Sequence, residues 1–152
     1  FSLNGRDCTC GQKGCFEAYT SVTALIKDTK EILKDYPNSI LYEMTDNDLS
    51  KINGKMICEA YQKKDEAATK AFDRYVMFLS EGLLSFMNIF RMDAILLGGG
   101  LAESGETLLG PVREYCEKRN YGFGKAPKVE IQKATLGNKA GILGAASLLF
   151  ES

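Results

Sequence analysis

Three cysteines fall within eight residues near the start of the chain, in Cys8-Thr9-Cys10-Gly11-Gln12-Lys13-Gly14-Cys15-Phe16-Glu17. Thiolates at this spacing can converge on one soft or borderline cation. Zinc is the usual choice, tetrahedral, with Zn–S near ~2.3 Å. Gly11 and Gly14 suit such a loop, because each can take φ > 0 and let the backbone wrap around an ion. A closed structural zinc site takes four ligands, and this loop offers three. The chain has no histidine, so a fourth ligand would be another group of this chain, a water, or a residue outside it. The plainer alternative is three reduced thiols in a glycine-rich turn, since a short motif is a hypothesis until its context is known.

A second stretch with chemical potential is Asp93-Ala94-Ile95-Leu96-Leu97-Gly98-Gly99-Gly100. The apolar run predicts a strand over 94–97, buried on both faces as in a parallel sheet. Its carboxyl end is where ligands collect in open α/β sheets. Gly98, Gly99 and Gly100 lack Cβ atoms and would let backbone N–H groups approach a nucleotide closely; an ordinary tight turn is the alternative. Two familiar phosphate motifs are excluded. A dinucleotide fingerprint would need glycine at 103, where Glu103 stands, and Gly54-Lys55-Met56 and Gly124-Lys125-Ala126 lack the hydroxyl of a P-loop.

The elements that must position these groups follow from periodicity. Residues 1–14 read as a loop. A helix is expected from Cys15 or Phe16 to about Asp35, with Phe16, Tyr19, Val22, Leu25, Ile26, Ile32 and Leu33 inward, stopped by Tyr36-Pro37. Residues 38–48 read as irregular. A short helix is expected over roughly 48–62, weakened by Gly54. The longest helix should span about 65–91, with Asp65-Glu66 favoured at its N-terminus. Its stripe from Ala68 to Phe90 should serve as core or subunit interface. After the glycine strand come a helix at about 106–119, in which Pro111 must sit in the first turn or make a kink, and a loop at Tyr121-Gly122-Phe123-Gly124. An alternating, half-exposed strand at 128–133, a turn at 136–139 and a final helix at about 139–150 complete the chain. The last four regular elements make a strand–crossover–strand unit, expected to be right-handed. Two strands are a poor sheet by themselves, so further strands are expected outside this sequence.

The whole chain sets bounds on function. Its 152 residues are enough for one domain with a core. It is 45% hydrophobic and 26% charged, with formal net charge −1 and an isoelectric point of about 5.6. That composition is globular, shows no basic stripe for nucleic acid, and contains no apolar run of membrane-spanning length. Five cysteines, three of them crowded together, suit a metal site in a reducing compartment better than a disulfide framework. Cys58 and Cys116 fall on apolar helix faces and read as packing residues. The chain opens on Phe1 with no signal-like leader, and the expectation is a piece of a longer protein.

The full pattern C-x-C-G-x-x-G-C-x-E is far more specific than a lone C-x-C. It resembles the signature of the ROK family of bacterial sugar kinases and sugar-responsive repressors. The resemblance implies that Cys8, Cys10 and Cys15 bind a structural zinc, together with a histidine that would lie before Phe1. It implies that Glu17 hydrogen-bonds a sugar, as an acceptor of hydroxyl donors; a dipole-favoured glutamate in a first helical turn is the alternative. Leu96-Leu97-Gly98-Gly99-Gly100 is similar to the adenosine motif of the wider sugar kinase, actin and heat-shock ATPase superfamily, which implies ATP at Gly98, Gly99 and Gly100. Leu136-Gly137-Asn138-Lys139-Ala140-Gly141 is similar to the family stretch beside adenine, with Asn138 near the nucleotide or acting as a cap.

By this resemblance the fold is α/β: the helix-rich C-terminal half of an actin-like, ribonuclease H-like sugar kinase, with an N-terminal zinc knuckle. Residues 1–15 would form the zinc loop, 16–91 a helical part and 92–152 the nucleotide-side α/β part. The implied activity is transfer of the γ-phosphoryl group of ATP, with magnesium, to a hexose by the parent protein. The catalytic base and phosphate loop would lie upstream of Phe1, so the chain alone would be inactive. The implied partners are hexose, ATP, the N-terminal half of the same protein and a second copy in a homo-oligomer. The implied location is the cytoplasm, with no membrane or nucleic-acid contact by this segment. The other reading within the family is the sugar-sensing part of a transcriptional repressor; outside it, a zinc-stabilised interaction domain.

Overall fold

A computed structural model describes residues 1–122, 128–137 and 139–149. Seven helices and two strands run in the order α1 Glu17–Thr20, α2 Val22–Ile32, α3 Ile40–Met44, α4 Gly54–Gln62, α5 Glu66–Phe90, β1 Ala94–Leu97, α6 Glu106–Arg119, β2 Glu130–Lys133 and α7 Lys139–Ser147.

The expected continuous helix over 16–35 is two helices. Ser21 lies in extended backbone at φ −78°, ψ 158°, and its side chain accepts from the Ala24 N–H at 3.1 Å. That is an N-cap, and it satisfies a backbone donor that a continuing helix would have bonded otherwise. Periodicity carried across the break and concealed it. A 3₁₀ turn at Leu33–Asp35 ends the segment. The expected irregular stretch contains α3, capped by Ser39, whose hydroxyl accepts from the Leu41 N–H. The helix expected from residue 48 begins later. A 3₁₀ turn at Leu49–Lys51 comes first, and Asn53 then caps α4 by accepting from the Met56 N–H at 3.0 Å. Gly54 is therefore the first helical residue rather than a weak interior one. A Cβ there would lie 3.1 Å from Val22 and 3.2 Å from Leu101, so its smallness lets α4 approach α2 and the segment after β1.

Helix α5 organises the rest. Asp65 caps it by accepting from the Ala68 N–H at 2.9 Å, and the same carboxylate accepts from the Ser39 hydroxyl and the Ile40 N–H, both at 2.9 Å. One buried acid thus starts two helices. Ala67, Ala68, Ala71 and Phe72 are fully buried, and α1, α2, α4 and α6 pack around α5. At the far end of the apolar stripe Leu83 and Met87 are buried, whereas Phe86 is 40% and Phe90 66% exposed. Arg91 ends the helix in the left-handed region at φ 48°. Pro111 lies in the second turn of α6, where the Thr107 carbonyl goes without a helical donor.

The strands pair in parallel through the α6 crossover, Ile95 opposite Ile131 and Leu97 opposite Lys133. Ile131 is buried and its strand neighbours are more exposed, as alternation predicts. Strand β1 departs from its reading as a doubly buried strand: Leu96 is 63% exposed. Among the described residues the sheet has these two strands, and nothing covers the second face of β1. Helix α7 likewise buries none of its residues, Ile142 being 74% exposed.

The Tyr75 hydroxyl donates to the Thr20 carbonyl at 2.9 Å. Burial, with a smaller contribution from Cys58, pushes this phenol up to about 12. A phenol that ionises near ~10 when unfolded and near 12 when folded keeps its full stabilising effect below pH ~10. Above that, the unfolded chain loses its proton first, so stability falls as pH rises towards 12. Urea unfolding between pH 9 and pH 12 is expected to show a loss of roughly 2–3 kcal/mol that Tyr75→Phe removes.

Candidate functional site

The cysteine loop is closed by its own backbone. The Cys8 N–H donates to the Gln12 carbonyl at 2.9 Å, the Gly11 N–H to Cys8 at 3.0 Å and the Gly14 N–H to Arg6 at 2.7 Å. Asp7 and Lys13 form an antiparallel bridge across it. Gly11 and Gly14 both take positive φ, 85° and 73°, as their place in the motif predicts. Gly14 is doubly constrained, because a Cβ would lie 1.6 Å from the Ser2 oxygen.

This geometry brings the three sulfurs together. The Sγ atoms of Cys8, Cys10 and Cys15 lie within 4.8 Å of one another, with Cys10 and Cys15 at 3.5 Å. Two sulfurs bound tetrahedrally to one zinc at ~2.3 Å would be ~3.8 Å apart, so the arrangement fits a zinc-sized ion with small adjustment. The thiols differ electrostatically. The Gln12 backbone N–H, and then the neighbouring Cys15 and Cys8 thiols, hold Cys10 below the ordinary thiol range. Hydrogen bonding to Cys10 and Cys8 pushes Cys15 up to about 11. Cys10 therefore gives up its proton more readily than Cys15.

The loop is anchored to the helices by residues that sequence reasoning missed. The Arg6 N–H donates to the Tyr19 hydroxyl at 2.9 Å, and its guanidinium donates to Asp28 at 3.0 Å and to the Ala18 carbonyl at 3.3 Å. The same guanidinium lies 4.6 Å from the centre of the Tyr19 ring. Arg74, from α5, approaches Asp28 at 3.7 Å. Asp28 is buried, and a buried carboxylate between two arginines is the signal that would have disclosed the anchor, had its distance in sequence allowed it. From below, Phe16 rests on α5 where Gly82 leaves room, since a Cβ at 82 would lie 2.2 Å from the ring. Alanine in mid-helix normally gains ~0.5–1 kcal/mol over glycine, but forced overpacking loses ~1–3 kcal/mol. Gly82→Ala is therefore expected to be net destabilising by about 1–2 kcal/mol in chemical denaturation, against its helix propensity.

Glu17 begins α1 two residues beyond Cys15, so the knuckle sets where it stands. It is exposed, and among the described residues its carboxylate has no hydrogen-bond or ion-pair partner. It remains available to an external donor.

The glycine turn lies at the carboxyl end of β1. Gly99 takes φ 97°, which accounts for that glycine locally. Gly100 does not: its φ is ordinary and a Cβ there would meet nothing within 4 Å. Beyond it the chain makes a 3₁₀ turn at Gly100–Ser104, and this turn faces the start of α4 across a cavity of about 500 Å³. Gly54, Cys58, Gln62, Gly100, Leu101 and Ser104 are among its lining residues. Gln62 is held by donation to the Thr107 hydroxyl at 2.7 Å. The 134–137 segment runs beside the turn: the Ala134 N–H donates to Leu97 at 2.8 Å, and Lys133 pairs with Glu103 at 2.5 Å. Asn138 lies outside the described residues. The structure thus lays the segment leading into the second C-terminal motif beside the glycine turn, and Gly54 and Gln62 on the opposite wall of the cavity were not foreseen.

The sequence model of the ROK family matches residues 2–152. A glucokinase from Thermotoga maritima is 34% identical over 152 residues, 97% of this chain and 46% of that protein. A xylose repressor from Bacillus spizizenii is 30% identical, over 98% of this chain and 34% of its own length. Among solved structures, a ROK family glucokinase from Streptomyces griseus, in complex with glucose and AMPPNP, superposes with a TM-score of 0.83 at 31% identity, covering 95% of this chain and 47% of that one. The chain spans about half the length of the glucokinases it matches. It is a helix-rich α/β structure similar to those of ROK sugar kinases, and among its described residues no helix is long and apolar enough to cross a membrane.

Proposed function

The chain belongs to the ROK family, and from that premise we propose that it serves ATP-dependent phosphorylation of a hexose, within a cytoplasmic protein of the glucokinases' length. In this reading residues 1–15 are the zinc loop, 16–91 the helical part and 92–152 the nucleotide side of an actin-like sugar kinase fold. Cys8, Cys10 and Cys15 would hold the zinc, and Glu17 would accept hydrogen bonds from sugar hydroxyls. Gly98, Gly99 and Gly100 would face the adenosine of Mg-ATP. Bound zinc would supply structural cross-linking rather than Lewis-acid chemistry.

The observation that carries the reading is the convergence of three sulfurs in a loop that ends two residues before a carboxylate with no partner among the described residues. Contacts of Arg6 on one side and Phe16 on the other hold the knuckle against the helices, and such a mount restricts where Glu17 can reach. The cavity at Gly100 supports a nucleotide on the other side, since a glycine with open space at its Cβ position leaves room for close approach. We assign no catalytic base to this chain. Phosphoryl transfer depends on positioning and charge stabilisation, and these residues serve positioning.

The similarity to a xylose repressor favours a second reading, in which the same fold senses sugar without turning over ATP. The parent protein, assayed with Mg-ATP and a panel of hexoses, separates the two. Hexose-dependent release of ADP supports the kinase. Sugar binding without ADP release supports the sensor. Binding of neither sugar nor nucleotide refutes both and leaves an interaction domain. Sedimentation of the same protein tests the homo-oligomer that the family resemblance implies.

A further inference from the structure

We propose that Cys10 and Cys15 form a reversible oxidation site, in which a hydroperoxide converts the two thiols to a disulfide and removes two of the three sulfurs from any metal the loop holds. The inference rests on where the sulfurs stand and does not require the kinase reading. The two Sγ atoms are 3.5 Å apart, already in contact, and closing to a bond at ~2.05 Å needs a movement of only ~1.5 Å. Cys10 is exposed and can meet a small oxidant, whereas Cys15 is partly covered by the loop and reaches the same point from inside. The residues between them include Gly11 and Gly14, both at positive φ. That stretch is the tip of a loop joined to the rest by hydrogen bonds at Arg6, Cys8 and Gln12. The two cysteines that pack in the core, Cys58 and Cys116, are buried and take no part.

The reaction balances in two steps. The Cys10 sulfur attacks one oxygen of the hydroperoxide; the O–O bond breaks, an S–O bond forms, and the other oxygen takes the Cys10 proton, or a solvent proton if the thiolate attacks, and leaves as an alcohol, or as water when the oxidant is hydrogen peroxide. The Cys15 sulfur then attacks the Cys10 sulfur. The S–S bond forms, the S–O bond breaks, and the leaving hydroxide becomes water with the Cys15 proton, or with a solvent proton where a metal holds Cys15 as the thiolate. The thiol pair is oxidised by two electrons and the hydroperoxide is reduced by two. A disulfide sulfur is no longer a thiolate ligand, so zinc held by this loop would keep one cysteine of three and be released. Because Cys15 is two residues from Glu17, the same bond shifts the mount of that carboxylate.

Tryptic peptides read the outcome directly. Cleavage after Arg6, Lys13 and Lys27 places Cys8 and Cys10 on Asp7–Lys13 and Cys15 on Gly14–Lys27. The parent protein is treated with equimolar hydrogen peroxide, alkylated, digested without reductant and analysed by mass spectrometry, while a chromophoric chelator reports zinc. The expected result is a linked pair of these two peptides that survives in Cys8→Ser, is absent in Cys10→Ser and Cys15→Ser, and disappears on reduction with dithiothreitol. Zinc release should rise in step with the linked pair and fall with its reduction when zinc is resupplied. A bridge between Cys8 and Cys10 inside one peptide, sulfinic acid in place of a bridge, or a linked pair that survives in Cys10→Ser would overturn the proposal. A protein that contains no zinc would overturn the zinc assignment above, and the peptide map would still decide the disulfide.

Discussion

Replacing Asp28 by alanine is expected to destabilise the protein by about 2–4 kcal/mol and to loosen the cysteine loop before the rest of the chain unfolds. Asp28 is buried, 3.0 Å from the Arg6 guanidinium and 3.7 Å from Arg74. Its removal leaves two cations facing one another with no anion between them. Breaking a buried pair by deleting one partner typically loses ~3–5 kcal/mol. The lower figure expected here allows for Arg74, whose side chain is 41% exposed and can turn to water. The loss should be local first, because Arg6 is the link that ties the loop to α1 and α2. Hydrogen exchange tests this: the amides of Cys8 and Gly14, which bond Gln12 and Arg6 within the loop, should lose protection in Asp28→Ala, while amides in the middle of α5 keep theirs. Uniform loss of protection across both regions would mean that the pair supports the whole core and is not a local anchor.

Glu17→Gln is expected to lower kcat/KM for hexose phosphorylation by the parent protein about 10²-fold, with little effect on its unfolding midpoint. The stability half follows from the structure, because the carboxylate is exposed and has no partner among the described residues. The activity half follows from the proposed role. A carboxylate that accepts from sugar hydroxyls makes charge-assisted bonds, and the amide replaces one acceptor oxygen with a donor that a hydroxyl pair would have to turn to meet. Losing an interaction at a site built to bond a substrate hydroxyl is among the larger effects that specificity contacts show. Steady-state kinetics with hexose and with Mg-ATP varied separately check it. The loss should follow the sugar, leaving KM for ATP within about twofold. An unchanged kcat/KM would reduce Glu17 to a glutamate favoured by the dipole of α1, and an equal loss for both substrates would point to disruption of the loop.

Much of the local structure was legible in the chain itself. The motif C-x-C-G-x-x-G-C-x-E disclosed the cysteine cluster, both positive-φ glycines and the family, because residue spacing over ten positions is enough to define one tight loop. Hydrophobic periodicity located α5, α6 and the two strands to within a few residues. Asp65-Glu66 marked the start of the longest helix through their charge at an N-terminus; the structure adds a second reason, the Asp65 carboxylate capping the Ala68 N–H. What periodicity concealed was the break at Ser21, since capping changes backbone direction without interrupting an apolar pattern.

Only the tertiary structure decided how the site is mounted. Arg6 meets Asp28 from 22 residues away, Phe16 rests in the gap left by Gly82, and Gly54 and Leu101 meet in the wall of the cavity beside Gly100. None of these pairs shares a local pattern, so no spacing rule connects their members. The chain dictated the chemistry of the loop because neighbouring residues are constrained by backbone geometry alone. The aim of that chemistry depends on which distant faces pack together, and that is settled by burial summed over the whole core.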